Sequence, residues 1–270
     1  MYWLQALEKL RSEGAPGVMA TVTDVRGHAP RAPGAKMVIS AETSWGSIGG
    51  GNLEATVIDR AREMLLAGSG LPESVTFALN EHAATEYGRQ CCGGTASVLL
   101  EPFRSRPTIA IFGVGHIGHE LARILSRLPV RLILVDSRPS QLDPAFLADV
   151  NDGIADIDSL HSAVPDSALA ELPKGSHVFI MTHDHAEDFL LCDAAVRRDD
   201  LGSVGLIGSR AKWARFRQRL KAEGHDDARI GSITCPIGLP DIGGKSPAVI
   251  AVSAAAGLLQ LMATELSFSE

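Results

Sequence analysis

Cys91 and Cys92 stand side by side before Gly93 and Gly94, and the chain holds only two further cysteines, Cys192 and Cys235. Adjacent glycines leave room for a large ligand to reach sulfur. A soft thiolate suits a soft metal, and an accessible thiol of low pKa can also carry persulfide. The competing reading is packing, because free cysteines are among the most buried residue types. There is no Cys-x-x-Cys, and a vicinal pair makes a poor disulfide framework, so a reducing, cytoplasmic compartment is expected.

The second element is Gly113-Val114-Gly115-His116-Ile117-Gly118. It follows the apolar run Thr108–Phe112 and opens a helical pattern over Ile117–Arg127. A further apolar run, Leu132–Val135, ends in Asp136, 18 residues after Gly118. This is the dinucleotide-binding arrangement: a tight turn, close phosphate approach at a helix N-terminus, and an acid for a ribose hydroxyl. The plainer reading is that the glycines only let helix and strand pack. Arg138 could instead meet a phosphate, which leaves NAD and NADP equally open.

Three more segments could do chemistry. Gly49, Gly50 and Gly51 feed an amphipathic helix and would present backbone N–H groups at its positive end, an anion site to which Arg31 and Lys36 could add charge. The alternative is a turn and a helix cap. Thr182-His183-Asp184-His185 follows the strand-like Val178–Met181, where α/β proteins bind ligands; His183 and His185 with Asp184 and Asp188 could hold a metal. The same residues also make a good helix start, with Thr182 or Asp184 as cap. Gly205 and Gly208 lead into Ser209 and Arg210, where an anion could rest; the following Lys212, Arg215, Arg217, Arg219 and Lys221 read as a solvated face. Gly243-Gly244-Lys245-Ser246 lacks the upstream frame of a P-loop.

These segments need elements to hold them. A chain of 270 residues suits one to two domains. A seam at Glu101–Pro107, two prolines bracketing two arginines, reads as a linker between domains at 1–103 and 104–270. Before it, helical spacing at Trp3, Leu4, Leu7 and Leu10 and strand-like runs at Val18–Val25, Ala35–Ile39, Ser74–Leu79 and Thr95–Leu100 predict an α+β domain. A helix through Leu53, Val57, Ala61 and Met64 completes it. After the seam, short apolar strands, among them Val204–Ile207, alternate with helices such as Ala186–Arg198 and Lys212–Glu223. That pattern predicts an α/β fold, a Rossmann-like doubly wound parallel sheet.

Composition narrows the partners. With 25 Lys and Arg against 32 Asp and Glu the net charge is −7, which argues against nonspecific binding of nucleic acid or an anionic membrane. The N-terminal stretch mixes acids and bases and has no small-residue cleavage site, so no signal peptide is expected. The apolar segment Pro247–Ala263 is interrupted by Ser253 and Gln260 and reads as a buried helix. Glycine is one residue in ten, and thirteen of the 27 fall in five clusters at the turns described above and at Gly238, Gly243 and Gly244.

Taken in order, GHAPRAPGAKM, GSIGGGNLE, CCGG, FGVGHIG with Asp136-Ser137-Arg138, MTHDH, GLIGSR and CPIGLP before GGKSP resemble the XdhC/CoxI family, accessory proteins of xanthine dehydrogenase maturation. The resemblance implies binding of the molybdenum cofactor, support of its sulfuration by a cysteine desulfurase, and delivery to the molybdenum subunit of xanthine dehydrogenase. By match to the family's CGG element, Cys92 is expected to contact the cofactor through sulfur, with Cys91 second, and Cys92 is the implied molybdenum contact. His116, Ser209 and Arg210 are further expected contacts beside the glycines of the four loops. The chain departs from the family pattern at Val249, at Gly257 and at His28, where Glu, Glu and Ser respectively are frequent. A homodimer is conceivable for a handover scaffold. The competing function is an NAD(P)-dependent oxidoreductase with His183 or His185 as acid or base.

Overall fold

The computed structural model describes residues 2–68, 70–78, 94–103 and 106–263. The chain divides into two compact units, Met1–Ser105 and Arg106–Glu270.

In the first unit, α1 (Trp3–Glu13) is followed by β1 (Gly17–Arg26), β2 (Lys36–Ile39), β3 (Ser44–Gly46), α2 (Gly51–Leu66), β4 (Glu73–Ala78) and β5 (Thr95–Phe103). The strands form one antiparallel sheet in the order β3-β2-β1-β5-β4. Alternation along β1 and β5 turns Val18, Ala20, Val22, Ala96, Val98 and Leu100 to one face, where α2 lays Leu53, Val57, Ala61 and Met64 on them. On the other face α1 buries Ala6 and Leu10 against Val38.

The expected linker starts later than the two prolines imply. Glu101, Pro102 and Phe103 continue β5, paired with Met19, Val18 and Gly17 of β1. Pro102 fits because β4 has already ended its pairing at Leu100, so no β4 partner is opposite the missing N–H.

The second unit runs β6 (Thr108–Phe112), α3 (His116–Leu125), β7 (Arg131–Asp136), a 3-10 turn (Pro139–Leu142), α4 (Ala148–Asn151), β8 (Asp156–His161) and α5 (Pro165–Ala170). It continues with β9 (His177–Ile180), α6 (His185–Val196), β10 (Ser203–Leu206), α7 (Arg210–Ala222), α8 (Asp227–Gly231), β11 (Ile233–Thr234) and α9 (Pro247–Leu261). All six strands are parallel, in the order β11-β10-β9-β6-β7-β8. Counted within the unit this is 6-5-4-1-2-3, the Rossmann order.

Successive residues of β6 serve opposite cores. Ala110 and Phe112 pack with Phe189 and Leu169 on the α5 and α6 side, while Ile109 and Ile111 pack with Leu121, Ala254 and Leu258 on the α3 and α9 side. The segment Pro247–Ala263 is therefore a core helix, and among the described residues no helix is long and apolar enough to cross a membrane. The strand β8 escapes sequence reading because it is an edge strand: Asp-Ile-Asp-Ser-Leu-His leaves its last four residues exposed, without the buried run of the central strands.

Candidate functional site

Parallel α/β sheets bind ligands outside the carboxyl ends of their strands, at the point where strand order reverses. Here that point lies between β6 and β9, and the glycine loop sits in it. Gly113 has φ +99°, and a Cβ there would run into the Met181 carbonyl just past β9. A Cβ on Gly118 would strike the Gly113 carbonyl. Gly115, the N-cap of α3, is different: away from its own neighbours and helix, the nearest atom to a Cβ is Arg138 Nη2, 3.8 Å away. Two glycines are thus required by packing, and the third leaves an open approach to the helix end. His116, the first residue of α3, is exposed there.

Asp136, expected to meet a ribose hydroxyl, is already engaged. Its Oδ2 accepts from the Val114 N–H at 2.7 Å and from Arg138 Nη2 at 2.9 Å. Its Oδ1 accepts from the Arg138 N–H and Nε, both at 2.9 Å. The Asp136 side chain is 1% exposed and that of Arg138 35%. Burial works to raise the Asp136 pKa, but the bonds from Arg138 and Val114 outweigh it and hold the carboxyl below its ordinary value. The carboxylate shapes the glycine loop, and the group it turns toward Gly115 is a guanidinium. On the β9 side Ser137 Oγ donates to Glu187 Oε1 at 2.8 Å, and Glu187 Oε2 lies 3.9 Å from His183 Nδ1.

Thr182-His183-Asp184-His185 forms the helix start. Asp184 caps α6, accepting from the N–H groups of Ala186 and Glu187 at 2.5 and 3.4 Å. Asp188 is removed from any metal role by a partner that the spacing alone did not reveal. Its Oδ2 takes a short bond from Lys212 Nζ, and its Oδ1 accepts from Thr182 N–H and Oγ1 at 3.0 and 2.8 Å. Lys212 also donates to the Ile207 carbonyl at 3.0 Å. The pair therefore ties the turn after β9 to the turn after β10. Lys212, expected on a solvated face, is 8% exposed in its side chain and Asp188 1%. The signal was present, because Lys212, Phe216 and Leu220 share one stripe of α7 at spacings of four.

No group of three or more His, Cys, Asp or Glu residues able to hold a metal occurs among the described residues. Ser209 caps α7 by accepting from the Lys212 N–H at 3.2 Å, and Arg210 is exposed beside it. Cys235 lies half-buried, 3.8 Å from the Gly208 carbonyl. Burial pushes its thiol up to about 11, Lys212 working against the rise. The thiol of the buried Cys192 is raised too, chiefly by burial. Neither is a ready thiolate.

In the first unit the expected anion site at Gly49–Gly51 contains the chain's own anion. Glu54 Oε2 accepts from Ser47 Oγ at 2.7 Å, the Gly50 N–H at 3.0 Å and the Ile48 N–H at 3.3 Å. A carboxylate one turn into α2 thus takes two of the loop amides, those of Ile48 and Gly50. Lys36 is directed elsewhere, its Nζ donating to Thr21 Oγ1 at 2.9 Å, and Arg31 is exposed. The loop still joins other motifs: a Cβ on Gly49 would strike Pro30, and one on Gly94 would strike the Arg26 and His28 carbonyls. Gly94 thus packs against the His28–Pro30 segment, which itself packs on Gly49. Cys91, Cys92 and Gly93 lie outside the described residues.

Both units match known families. Residues 109–258 match the model of the XdhC Rossmann domain, more than half of the chain. The chain belongs to the XdhC family. Residues 10–77 match the XdhC and CoxI family, so the XdhC assignment rests on both units. A relative in Escherichia coli K12, the uncharacterised protein YqeB, is 27% identical over 254 residues, 94% of this XdhC chain and 45% of its own length. The chain spans about half the length of that curated relative. Among solved structures, a Bacillus halodurans protein described as a xanthine dehydrogenase superposes with a TM-score of 0.50 at 22% identity, over 100% of this chain and 98% of its own. That likeness shows the shared fold. The E. coli tRNA N6-threonylcarbamoyladenosine dehydratase TcdA matches 59% of this chain and 87% of its own at 14% identity, with a TM-score of 0.43.

Proposed function

We propose that this protein is a maturation factor that binds the molybdenum cofactor as cargo, supports its sulfuration together with a cysteine desulfurase, and delivers it to the molybdenum subunit of xanthine dehydrogenase. The observation that carries the proposal is the XdhC match in both units, combined with the packing of separate motif segments into one region of the first unit. There Gly94 rests on the backbone at His28, and Pro30 rests on Gly49. Cys92 precedes Gly94 by two residues in the sequence.

The cargo would offer a phosphate, a dithiolene-bound soft metal and a polar pterin. Cys92, with Cys91 second, is the thiol assigned to the sulfur-rich end by its match to the family's CGG element. Within the second unit the Gly115 end of α3 is open beside Arg138. The NAD-dependent form of the oxidoreductase reading is weakened, because the acid it would use for the ribose, Asp136, is occupied by Arg138 and Val114.

The test is uptake of molybdenum cofactor under anaerobic, reducing conditions by the wild-type chain and by Cys92→Ala. The expected result is co-elution of molybdopterin with wild type and its loss from the variant, followed by activation of apo-xanthine dehydrogenase only by the loaded wild type. Wild type eluting without molybdopterin would overturn the proposal, and equal uptake by both chains would move the site away from the thiols.

A further inference from the structure

We infer that β8 is a docking edge for a second copy of this chain, which adds its own β8 as an antiparallel strand about a two-fold axis at Ser159. β8 is the last strand of the six-stranded sheet and is bonded to β7 on one side only. Parallel ladders bond through every second residue of a strand. The Asp156 N–H donates to the Val130 carbonyl and the Ser162 N–H to the Asp136 carbonyl. The even-numbered residues therefore face β7, and Ile157, Ser159 and His161 turn their N–H and C=O groups outward. Among the described residues no backbone hydrogen bond meets those outward groups.

A row of unpaired backbone groups is a template for another strand, and edges are commonly blunted by lysine, proline or a bulge. β8 carries neither residue, and its register with β7 runs unbroken from Asp156 to His161. Its two acids do not repel an incoming strand, because each has a cation of its own chain. Asp156 lies 3.6 Å from Arg106 Nη1 and Asp158 lies 2.8 Å from Arg131 Nε. Apolar surface accompanies the edge: Leu160 is 45% exposed, and Val164, just past the strand, 57%. The alternation then selects the register, since in antiparallel pairing residues with outward groups stand opposite one another. A two-fold at Ser159 sets it against the partner's Ser159, Ile157 against the partner's His161 and Asp158 against the partner's Leu160. All three outward residues are then paired. A two-fold at Asp158 would oppose that acid to the partner's Asp158, and one at Ile157 would oppose Asp156 to the partner's Asp158, like charges in both cases. One at Leu160 would leave Ile157 opposite the partner's Ala163, outside the strand. β8 thus complements itself in one register, and a closed two-fold pair satisfies both edges at once, which is why the occupant is a second copy.

Sedimentation equilibrium of the full chain, from low to high micromolar concentration, reads the association. The variants are Ser159→Pro, Ser159→Ala and Ser159→Cys. Proline at 159 removes an N–H that faces away from β7, so the strand keeps its place in the sheet, and circular dichroism checks the fold. Wild type and Ser159→Ala are expected to dimerise alike, and Ser159→Pro to raise the dissociation constant at least about tenfold, one backbone donor being lost from each copy. Opposed residues of a hydrogen-bonded antiparallel pair have Cα atoms about 5.5 Å apart, within reach of a disulfide. Ser159→Cys oxidised with diamide should therefore give a disulfide-linked dimer in excess of any that wild type forms through its native cysteines. A monomer at every concentration, a dimer unchanged in folded Ser159→Pro, or no additional cross-link in Ser159→Cys would overturn the inference. It rests on the second unit alone and stands or falls independently of the cargo.

Discussion

Replacing Lys212 by Met puts the strongest demand on the second unit. Met matches the length of the lysine stem and keeps the stripe with Phe216 and Leu220, so the loss is almost wholly the charge. Asp188, whose side chain is 1% exposed, would then be a buried carboxylate without a counter-ion, and the Ile207 carbonyl would lose its donor. Breaking a buried pair by removing one partner costs about 3–5 kcal/mol, because the remaining charge is uncompensated. The double variant Lys212→Met with Asp188→Asn removes that charge. It should be more stable than the sum of the two single effects predicts, by roughly 1–3 kcal/mol. Urea unfolding followed by Trp213 fluorescence excited at the red edge reports it, with Trp3 and Trp45 replaced by Phe so that the only tryptophan sits next to the substituted residue. A loss below about 1 kcal/mol in Lys212→Met, or additive single effects, would refute the reasoning, since exposed pairs behave that way.

Four further outcomes follow from the same geometry. Gly113→Ala should cost at least about 2 kcal/mol in thermal or urea unfolding, from positive φ and collision with the Met181 carbonyl, while Gly115→Ala should stay within about 0.5 kcal/mol. Glu54→Ala removes the acceptor of three donors, Ser47 Oγ and the Ile48 and Gly50 N–H groups, and should cost about 1–3 kcal/mol, with Glu54→Gln recovering part of it. The Asp136 pKa lies below its unfolded value of 3.8, so its contribution is complete above that value and is lost as pH falls from about 4 through the folded pKa; Asp136→Asn should flatten the acid limb of an unfolding profile. Cys235, with a thiol at about 11, should resist iodoacetamide at pH 8 and react faster as pH rises toward 11, read peptide by peptide in mass spectra; fast labelling at pH 8 would contradict its burial.

Much of the fold was legible in the residues themselves. Periodicity distinguished the buried parallel strands from the amphipathic helices, and glycine spacing placed the β6–α3 turn, because these are properties of consecutive residues and of the backbone. Membership of the XdhC family also followed from motif order alone, without any coordinates. What spacing could not convey was which polar group each charged side chain would meet. Asp136 was correctly placed at the end of its strand, yet whether it faced a ligand or Arg138 depended on a rotamer set by the Val114 amide, 22 residues earlier. Gly49–Gly51 was read as backbone amides offered to an anion at a helix start, and Glu54 folds back to take the Gly50 amide with that of Ile48. Lys212 lay in a run of five cations, and only the approach of α7 to α6 buried it on Asp188, 24 residues away. Local patterning fixes where backbone amides and charges stand along the chain. Their pairing is decided when distant elements pack, because a buried charge must find a partner and takes the nearest one that the fold supplies.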